Sequence, residues 1–424
     1  MQKIKFINNS EPFLSAENLN LLQDNIETAI IDSENTLKEE ISNSESTLQE
    51  EIECLYGNQI KGTATGTNIN VQDSSNLKMV SLVVDGKSTQ DGTPTPDFPS
   101  EIEVIEDNIA VNVVGKNLFD YTKIENAKNW EAWPNAKLLE YHLKPNTKYT
   151  LSTNAPLGTT VLIYFNGDTT DKNGVSLDNA KTMISDENGY LFVAIFTDRD
   201  YYNDVINGEY YVQLEEGSIA TEYVPYQENT IELILPEGEF AGKIDDTYKD
   251  KFRISYNKEE HKYHLYLDKM IGKSTILLNG DTYTNGSLIF YWFPKDAKDM
   301  FANTWHGCTL SEVGKHIQQS NEEPIYVSGA GSRWNYGIVY NTDLISTLPT
   351  VDELKGLVDG KTYYYVLAEP YEIDLGEVTM PKTYKNVSNI MNSKETNMNV
   401  EYYKDLETVI NNLTSAVVAL GATE

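Results

Sequence analysis

Apolar positions along the chain follow two rhythms. The first alternates spacings of four and seven, from Ile26 through Ile30, Leu37, Ile41, Leu48 and Ile52. That is an 11-residue period, about 3.67 residues per turn, which keeps an apolar stripe nearly straight along one helix face. Residues 33–43, SENTLKEEISN, are nearly repeated by 44–54, SESTLQEEIEC. With Ser15 as N-cap, Glu17 in the first turn and Gly57-Asn58 as a stop, the pattern predicts a helix from Ser15 to about Tyr56. Off the stripe stand Glu, Ser, Asn, Thr, Gln and Lys, so a lone helix has nothing to cover its isoleucines and leucines. An amphipathic helix lying on its own globular body is the alternative. The repeat argues against it, because a helix facing copies of itself meets the same environment every period. Two strands fit this seam, but no buried Asn or Lys fixes a dimer, so three strands are expected.

The second rhythm is two-residue alternation. KMVSLVV (78–84) and EIEVIEDNIAVNVV (101–114) read as strands around a rigid exposed loop in which Pro94, Pro96 and Pro99 forbid regular pairing. KYTLST, TVLIYFNG, GYLFVAIFTD and GEYYVQLEEG then recur between turn signals at β-sandwich spacing. FRISYNKEEHKYHLYLD reads as a hairpin, STILLNGDTYTNGSLIFYWF carries two Asn-Gly turns, and one helix is expected at Val351–Leu357. Leu406, Ile410, Leu413, Val417 and Leu420 close the chain with four-three spacing, a short heptad seam for docking in an assembly joined elsewhere. The predicted fold is mainly β: β-sandwich modules in series with an N-terminal coiled-coil helix and a short C-terminal helix. The expected domains are an attachment segment with the coiled-coil helix (1–58), a small β linker module (59–116), a β-sandwich (117–228), a second β domain (229–390), and a linker with the C-terminal helix (391–424).

Composition narrows the function. A chain of 424 residues with 40% apolar and 11% aromatic residues, 28 of them Tyr, can bury several cores and is not disordered. The net charge of −32 argues against gripping nucleic acid through its phosphates. No apolar run long enough for membrane insertion and no secretory h-region is legible, so synthesis in a cytoplasm is expected. Cys54 and Cys308 suggest no disulfide framework or zinc site and are expected as reduced thiols.

Chemical motifs are sparse, and neither a catalytic residue set nor a cofactor is expected. Gly86-Lys87-Ser88 and Gly272-Lys273-Ser274 lack the upstream glycine of a phosphate loop, with Ser81 and Leu267 at that position, and read as ordinary loop or hairpin residues. His142, His261, His264, His306 and His316 offer no metal-ligand spacing, His261 and His264 falling on opposite strand faces. Asp168, Asp171 and Asn173 miss the alternation of a calcium loop and read as a solvated turn. Aromatics are more informative, since flat apolar faces stack on sugar rings without needing basic charge. Candidate stacking pairs are Trp130 with Trp133, Tyr201 with Tyr202, and Trp334 with Tyr336. The alternative for each pair is a place in a core or at a strand edge.

Several stretches together resemble the modular tail and baseplate proteins of bacteriophages and prophages of Gram-positive bacteria. NNSEPFLSAENLNLLQDNIETAI, with Pro12, Ala16, Leu19, Asn20 and Ile26, resembles their attachment segment. DGKSTQDGTPTPDFPSEIEVI, closed by Gly115-Lys116-Asn117-Leu118-Phe119, resembles their Gly/Pro-rich module. QLEEGSIATEYVPY (213–226) is similar to the closing strand and tail of the carbohydrate-binding-like sandwich of that group, and is the most specific match. YYYVLAEPYEIDLGEVTMPKTYKNVSNI (363–390) is similar to a further tail domain. The resemblance implies a virion component, a tail fibre or baseplate protein, with other tail or baseplate proteins and host cell-wall or surface polysaccharide as partners, and it carries over no catalytic set. With the self-association read from the stripe, the leading expectation is a homotrimer presenting β domains to a host envelope. The alternatives are a tail-borne polysaccharide depolymerase using two carboxylates, and a purely structural hub or spacer.

Overall fold

The computed structural model describes residues 24–38, 59–131, 133–155, 162–165, 175–176, 180–198, 202–278, 280–292, 308–315, 317, 322–330 and 335–419. The chain divides into two units, Met1–Gln59 with Lys258–His261, and Ile60–Asn257 with Lys262–Glu424. In the first unit, residues 24–38 are helical, and Ile26, Ile30 and Leu37 of the stripe are 48, 52 and 60% exposed. Ile41, Leu48 and Ile52, and hence the repeat and the coiled-coil expectation built on it, lie outside the described residues.

The second unit is mainly β. A seven-stranded antiparallel sheet runs in the order Lys61–Gly66, Met398–Tyr403, Ser81–Asp85, Lys251–Asn257, Lys262–Thr275, Thr362–Val378 and Cys308–Ser311. Against it packs a four-stranded sheet in the order Glu228–Leu233, Ile109–Val114, Asn386–Asn392 and Asn68–Ser74. Alternation aims one face of each sheet inward: Ile109, Val111 and Val113 from one, and Leu82, Val84, Phe252, Ile254, Leu265 and Leu267 from the other, share a core.

Two further bodies are inserted into this sandwich. Between Val114 and Glu228 a five-stranded sheet (Val175–Ser176, Leu162–Phe165, Tyr190–Phe196, Trp133–His142, Lys128–Trp130) faces a three-stranded one (Ala180–Ile184, Lys148–Thr153, Val212–Glu216). Leu139, Leu151, Leu191, Val193, Ile195, Val212 and Leu214 fill the space between them. Between Thr275 and Thr362 lies a four-stranded sheet in the order Thr282–Asn285, Leu288–Trp292, Asn335–Asn341 and Ile325–Ala330. The helix Val351–Val358 buries Leu354 and Val358 in the core on one of its faces.

Strand pairing thus interleaves regions that alternation alone sets in series. Strands of 59–116, of 229–390 and of 391–424 share the two sheets of one sandwich, with Val111 pairing with Ile231 on one side and Asn392 on the other. Alternation identifies a strand and its buried face but carries no information about its partner, which is chosen by contacts distant in sequence. The proline loop also differs from the exposed loop expected of it. Pro94 and Pro96 are buried, and Gln90 Nε2 donates to the Ser311 carbonyl at 3.0 Å and Ser100 N to that of Glu312 at 2.9 Å, fastening the loop at the edge strand Cys308–Ser311 of the seven-stranded sheet. At the chain end the expected helix is present as Leu406–Ala419.

Candidate glycan-facing surfaces

The most specific stretch of the sequence reading, QLEEGSIATEYVPY, forms a closed hydrogen-bonded clasp. Glu215 Oε1 accepts from Thr221 N at 2.9 Å and Gln213 Nε2 at 2.7 Å, Glu215 Oε2 accepts from the Thr221 hydroxyl at 2.6 Å, and Gln213 Oε1 accepts from Val224 N at 2.9 Å. Asn117 of the GKNLF stretch enters the same closure: Oδ1 accepts from Phe119 N at 2.9 Å and Leu214 N at 3.1 Å, while Nδ2 donates to Val212 O at 3.1 Å. Gln213 and Asn117 are fully buried and Glu215 nearly so, which buried polar groups tolerate only when satisfied in this way. These residues tie the two ends of the first insertion together, so their role is structural.

The face of the five-stranded sheet turned away from the core of that insertion is aromatic and largely buried, Phe192 and Phe196 being 6 and 0% exposed. Trp130 and Trp133 stack at 6.2 Å, Trp133 meets Phe196 edge-on at 5.0 Å, and Tyr190 stacks on Phe192 at 6.2 Å and on His142 at 4.8 Å. The strand pairing explains the alignment, because Tyr190 faces His142, Phe192 faces Glu140 and Phe196 faces Ala136. Trp130, 1% exposed, is a buried support rather than a stacking surface; Trp133 and Tyr190 are half-buried, and Glu140 and His142 are exposed beside Tyr190. His142 is held from both sides, with Nδ1 2.7 Å from Glu395 and Nε2 2.7 Å from the Asn188 carbonyl.

Tyr202 lies in the short helix Tyr202–Ile206 and packs on the core of the first insertion. Tyr201 and Trp334 lie outside the described residues. Tyr336 pairs with Gly329 in the second insertion, but its side chain also lies outside them.

A surface that the sequence reading missed lies on the second insertion. Tyr283 pairs directly with Phe290 across the Gly286-Ser287 hairpin, and Trp292 follows Phe290 on the same strand face. Phe290 and Trp292 stack at 5.4 Å with an interplanar angle of 17°; Tyr283 lies 5.9 Å from the first ring and 6.1 Å from the second. Phe290 is buried at the base, Trp292 is half-buried, and Tyr283 is 48% exposed on the edge strand, where every residue of Thr282–Asn285 faces solvent. Asn285, two residues along the strand, shares the face of Tyr283 and adds an amide donor and acceptor. The signal in the sequence was the hairpin itself. Asn285 pairs with Leu288, so the hairpin turns at Gly286-Ser287, one residue past the expected Asn-Gly turn, and Tyr283 and Phe290 sit symmetrically about it, but the run LIFYWF reads as core when its two faces are not separated.

Two glycines and a histidine singled out in the sequence have structural places among the described residues, while Asp168, Asp171, Asn173, His306 and His316 lie outside them. Gly86 sits where an added Cβ would lie 2.4 Å from the Gly242 carbonyl oxygen, and Gly272 where it would lie 2.4 Å from the Tyr365 ring, so both glycines answer close packing. His264, buried beside Asp374 at 3.1 Å, joins neighbouring strands. Among the described residues no group of three His, Cys, Asp or Glu side chains could hold a metal ion, and no helix is long and apolar enough to cross a membrane. Compared with known protein families, curated proteins and solved structures, the chain matches none.

Proposed function

We propose that this protein is an attachment component of a bacteriophage tail fibre or baseplate, self-associating through its N-terminal stripe and holding neutral host-surface glycan on aromatic rings of its inserted β bodies. The observation that carries the reading is the Tyr283–Phe290–Trp292 cluster: an accessible ring backed by two more, on a hairpin that projects polar side chains. Pyranose faces stack on such rings through their C–H groups while amides and hydroxyls take the ring hydroxyls. The charge of −32 favours a neutral ligand over an anionic one. Resemblance of the attachment, Gly/Pro-rich and clasp stretches to phage tail proteins supplies the setting. In a trimer, weak contacts that engage together would exceed a single one by about 10² to 10⁴.

The test is retention on purified Gram-positive cell wall of the full chain and of Tyr283→Ala and Trp292→Ala. Each substitution is expected to weaken binding about tenfold, the equivalent of roughly 1.4 kcal/mol, with the circular dichroism spectrum unchanged. Retention unaltered by both changes removes this surface. Absence of binding by the full chain, with incorporation into particles intact, leaves the spacer role.

A further inference from the structure

A buried amine, a buried carboxyl and a second carboxylate meet inside the main sandwich. Asp250 stands just before the strand Lys251–Asn257, and Lys269 lies on the neighbouring strand, one step beyond the Lys251–Asp268 pair. Both side chains are almost wholly buried, with Lys269 Nζ 2.7 Å from Asp250 Oδ2. Glu239 is the third group. A tight turn over Pro236–Glu239, closed by the Glu239 N–H on the Pro236 carbonyl at 3.0 Å with Gly238 at φ 81°, brings its Oε2 to 3.8 Å from Nζ.

The two oxygens of Asp250 have different surroundings. Oδ1 accepts from Met270 N at 2.8 Å and Ile271 N at 3.0 Å, two backbone donors placed there by the register shift between Lys269 and Ile271. Paired donors of this kind stabilise negative charge developing on a carbonyl oxygen under attack. Oδ2 faces the lysine and accepts from Gly242 N at 2.9 Å. Nζ is held on two further sides. It donates to the Phe240 carbonyl at 2.6 Å, and the Phe240 ring, its centre 3.7 Å away, covers it with Tyr364 set edge-on at 5.4 Å from that ring.

We propose that this site joins its own side chains, forming an amide between Lys269 Nζ and Asp250 Cγ with release of one water. A proton first passes from Nζ to Oδ2 along their 2.7 Å contact, which leaves a lone pair on nitrogen and a carboxylic acid. Nζ attacks Cγ, and the electron pair of the C=O bond moves onto Oδ1 between its two backbone donors. Glu239 takes a second proton from Nζ and returns it to the Oδ2 hydroxyl; the Cγ–Oδ2 bond then breaks and water departs. Of the three ammonium protons, two leave in the water and one stays on the amide, so atoms and charge balance. Condensation also replaces two opposite charges, costly to hold away from water, by a neutral group. The new N–H retains the Phe240 carbonyl as acceptor, and the amide oxygen retains its two donors. Because the reacting groups are already in contact, the entropy of bringing them together is spent in folding.

Mass spectrometry of the denatured full chain tests the proposal. Expected is a mass lower than the sequence requires by one water, with a branched tryptic peptide in which Asp250-Lys251 is attached to Tyr263–Lys273, uncut at Lys269. Lys269→Met is expected to carry its full mass. A folded chain of full mass, or the same water loss in Lys269→Met, overturns the amide. Glu239→Gln, on a partly exposed turn, keeps both reacting groups. Sampled from the start of synthesis, it is expected to close about a hundredfold more slowly, and an equal rate overturns the part given to Glu239. Its folded, unlinked chain is also the reference against which loss of either partner of the ion pair is measured.

Discussion

Lys269 and Asp250 place both of their charges inside the main sandwich, at 1 and 0% side-chain exposure, 2.7 Å apart. The lysine is fully occupied: it also donates to the Phe240 carbonyl at 2.6 Å and sits 3.7 Å from the centre of the Phe240 ring. Asp250 accepts from the backbone N–H groups of Met270, Ile271 and Gly242 at 2.8 to 3.0 Å. Those bonds fall where strand Lys262–Thr275 shifts register between Lys269 and Ile271, so the pair stabilises the bulge through which the strand passes from the main sandwich toward the second insertion. Removing one partner of a buried pair costs more than the pair itself is worth. Asp250→Ala is expected to lower stability in urea titration by about 3 to 5 kcal/mol. Lys269→Met, which leaves the carboxylate its three amide donors and fills the same volume, should cost clearly less. Equal losses from the two substitutions would mean that the bulge does not depend on this carboxylate.

At the scale of elements, the main sandwich relies on close approach where two chain segments cross. Gly86 donates its N–H to the Asp250 carbonyl at 2.8 Å, and a Cβ there would press on the backbone of Ala241 and Gly242, which cannot swing aside as a side chain can. Gly86→Ala is expected to cost about 1 to 3 kcal/mol, the range of overpacking in a filled interior, read as a lower denaturation midpoint with an unchanged slope. A change within a few tenths of a kcal/mol would show that the crossing has slack.

Local elements of this kind were legible in the chain. The helix Val351–Val358 follows from its Thr350 cap and Glu353 capping box, the hairpin of Thr282–Asn285 with Leu288–Trp292 is signalled by Asn285-Gly286 although it turns one residue later, at Gly286-Ser287, and the strand Lys148–Thr153 follows from KYTLST. What escaped was partnership. Nothing near Ile109–Val114 says that it lies between Glu228–Leu233 and Asn386–Asn392, because those contacts are distant along the chain. The aromatic surface escaped for a related reason. Of its three rings Phe290 and Trp292 belong to a run that looks uniformly buried, and only the hairpin register separates their face from that of Tyr291, which enters the core. Trp130 gives the converse case: a tryptophan in a polar stretch that turns inward to support Trp133.

Across the whole molecule, the cores are rich in tyrosine, and this ties its stability to alkaline pH. Tyr149, Tyr340 and Tyr402, one from each of the three β bodies, are buried, and burial pushes each phenol well above its ordinary value of 10.0. Hydrogen bonding adds to this at Tyr402, whose hydroxyl donates to Asp73 at 2.8 Å. A group held protonated in the folded chain and free to ionise in the unfolded one leaves stability intact below pH 10. Above that value the unfolded state gains, and each such tyrosine removes about 1.4 kcal/mol per pH unit. The three acting together would exhaust a typical margin within two or three units. The 28 tyrosines should therefore ionise in two phases when followed by phenolate absorbance: a smooth one for exposed rings, and a cooperative one coinciding with loss of the β-sheet signal. Tyr402→Phe, which removes the titrating hydroxyl, should move the cooperative phase to higher pH relative to its own neutral-pH stability. A single smooth ionisation with the sheet intact would contradict the burial of these phenols.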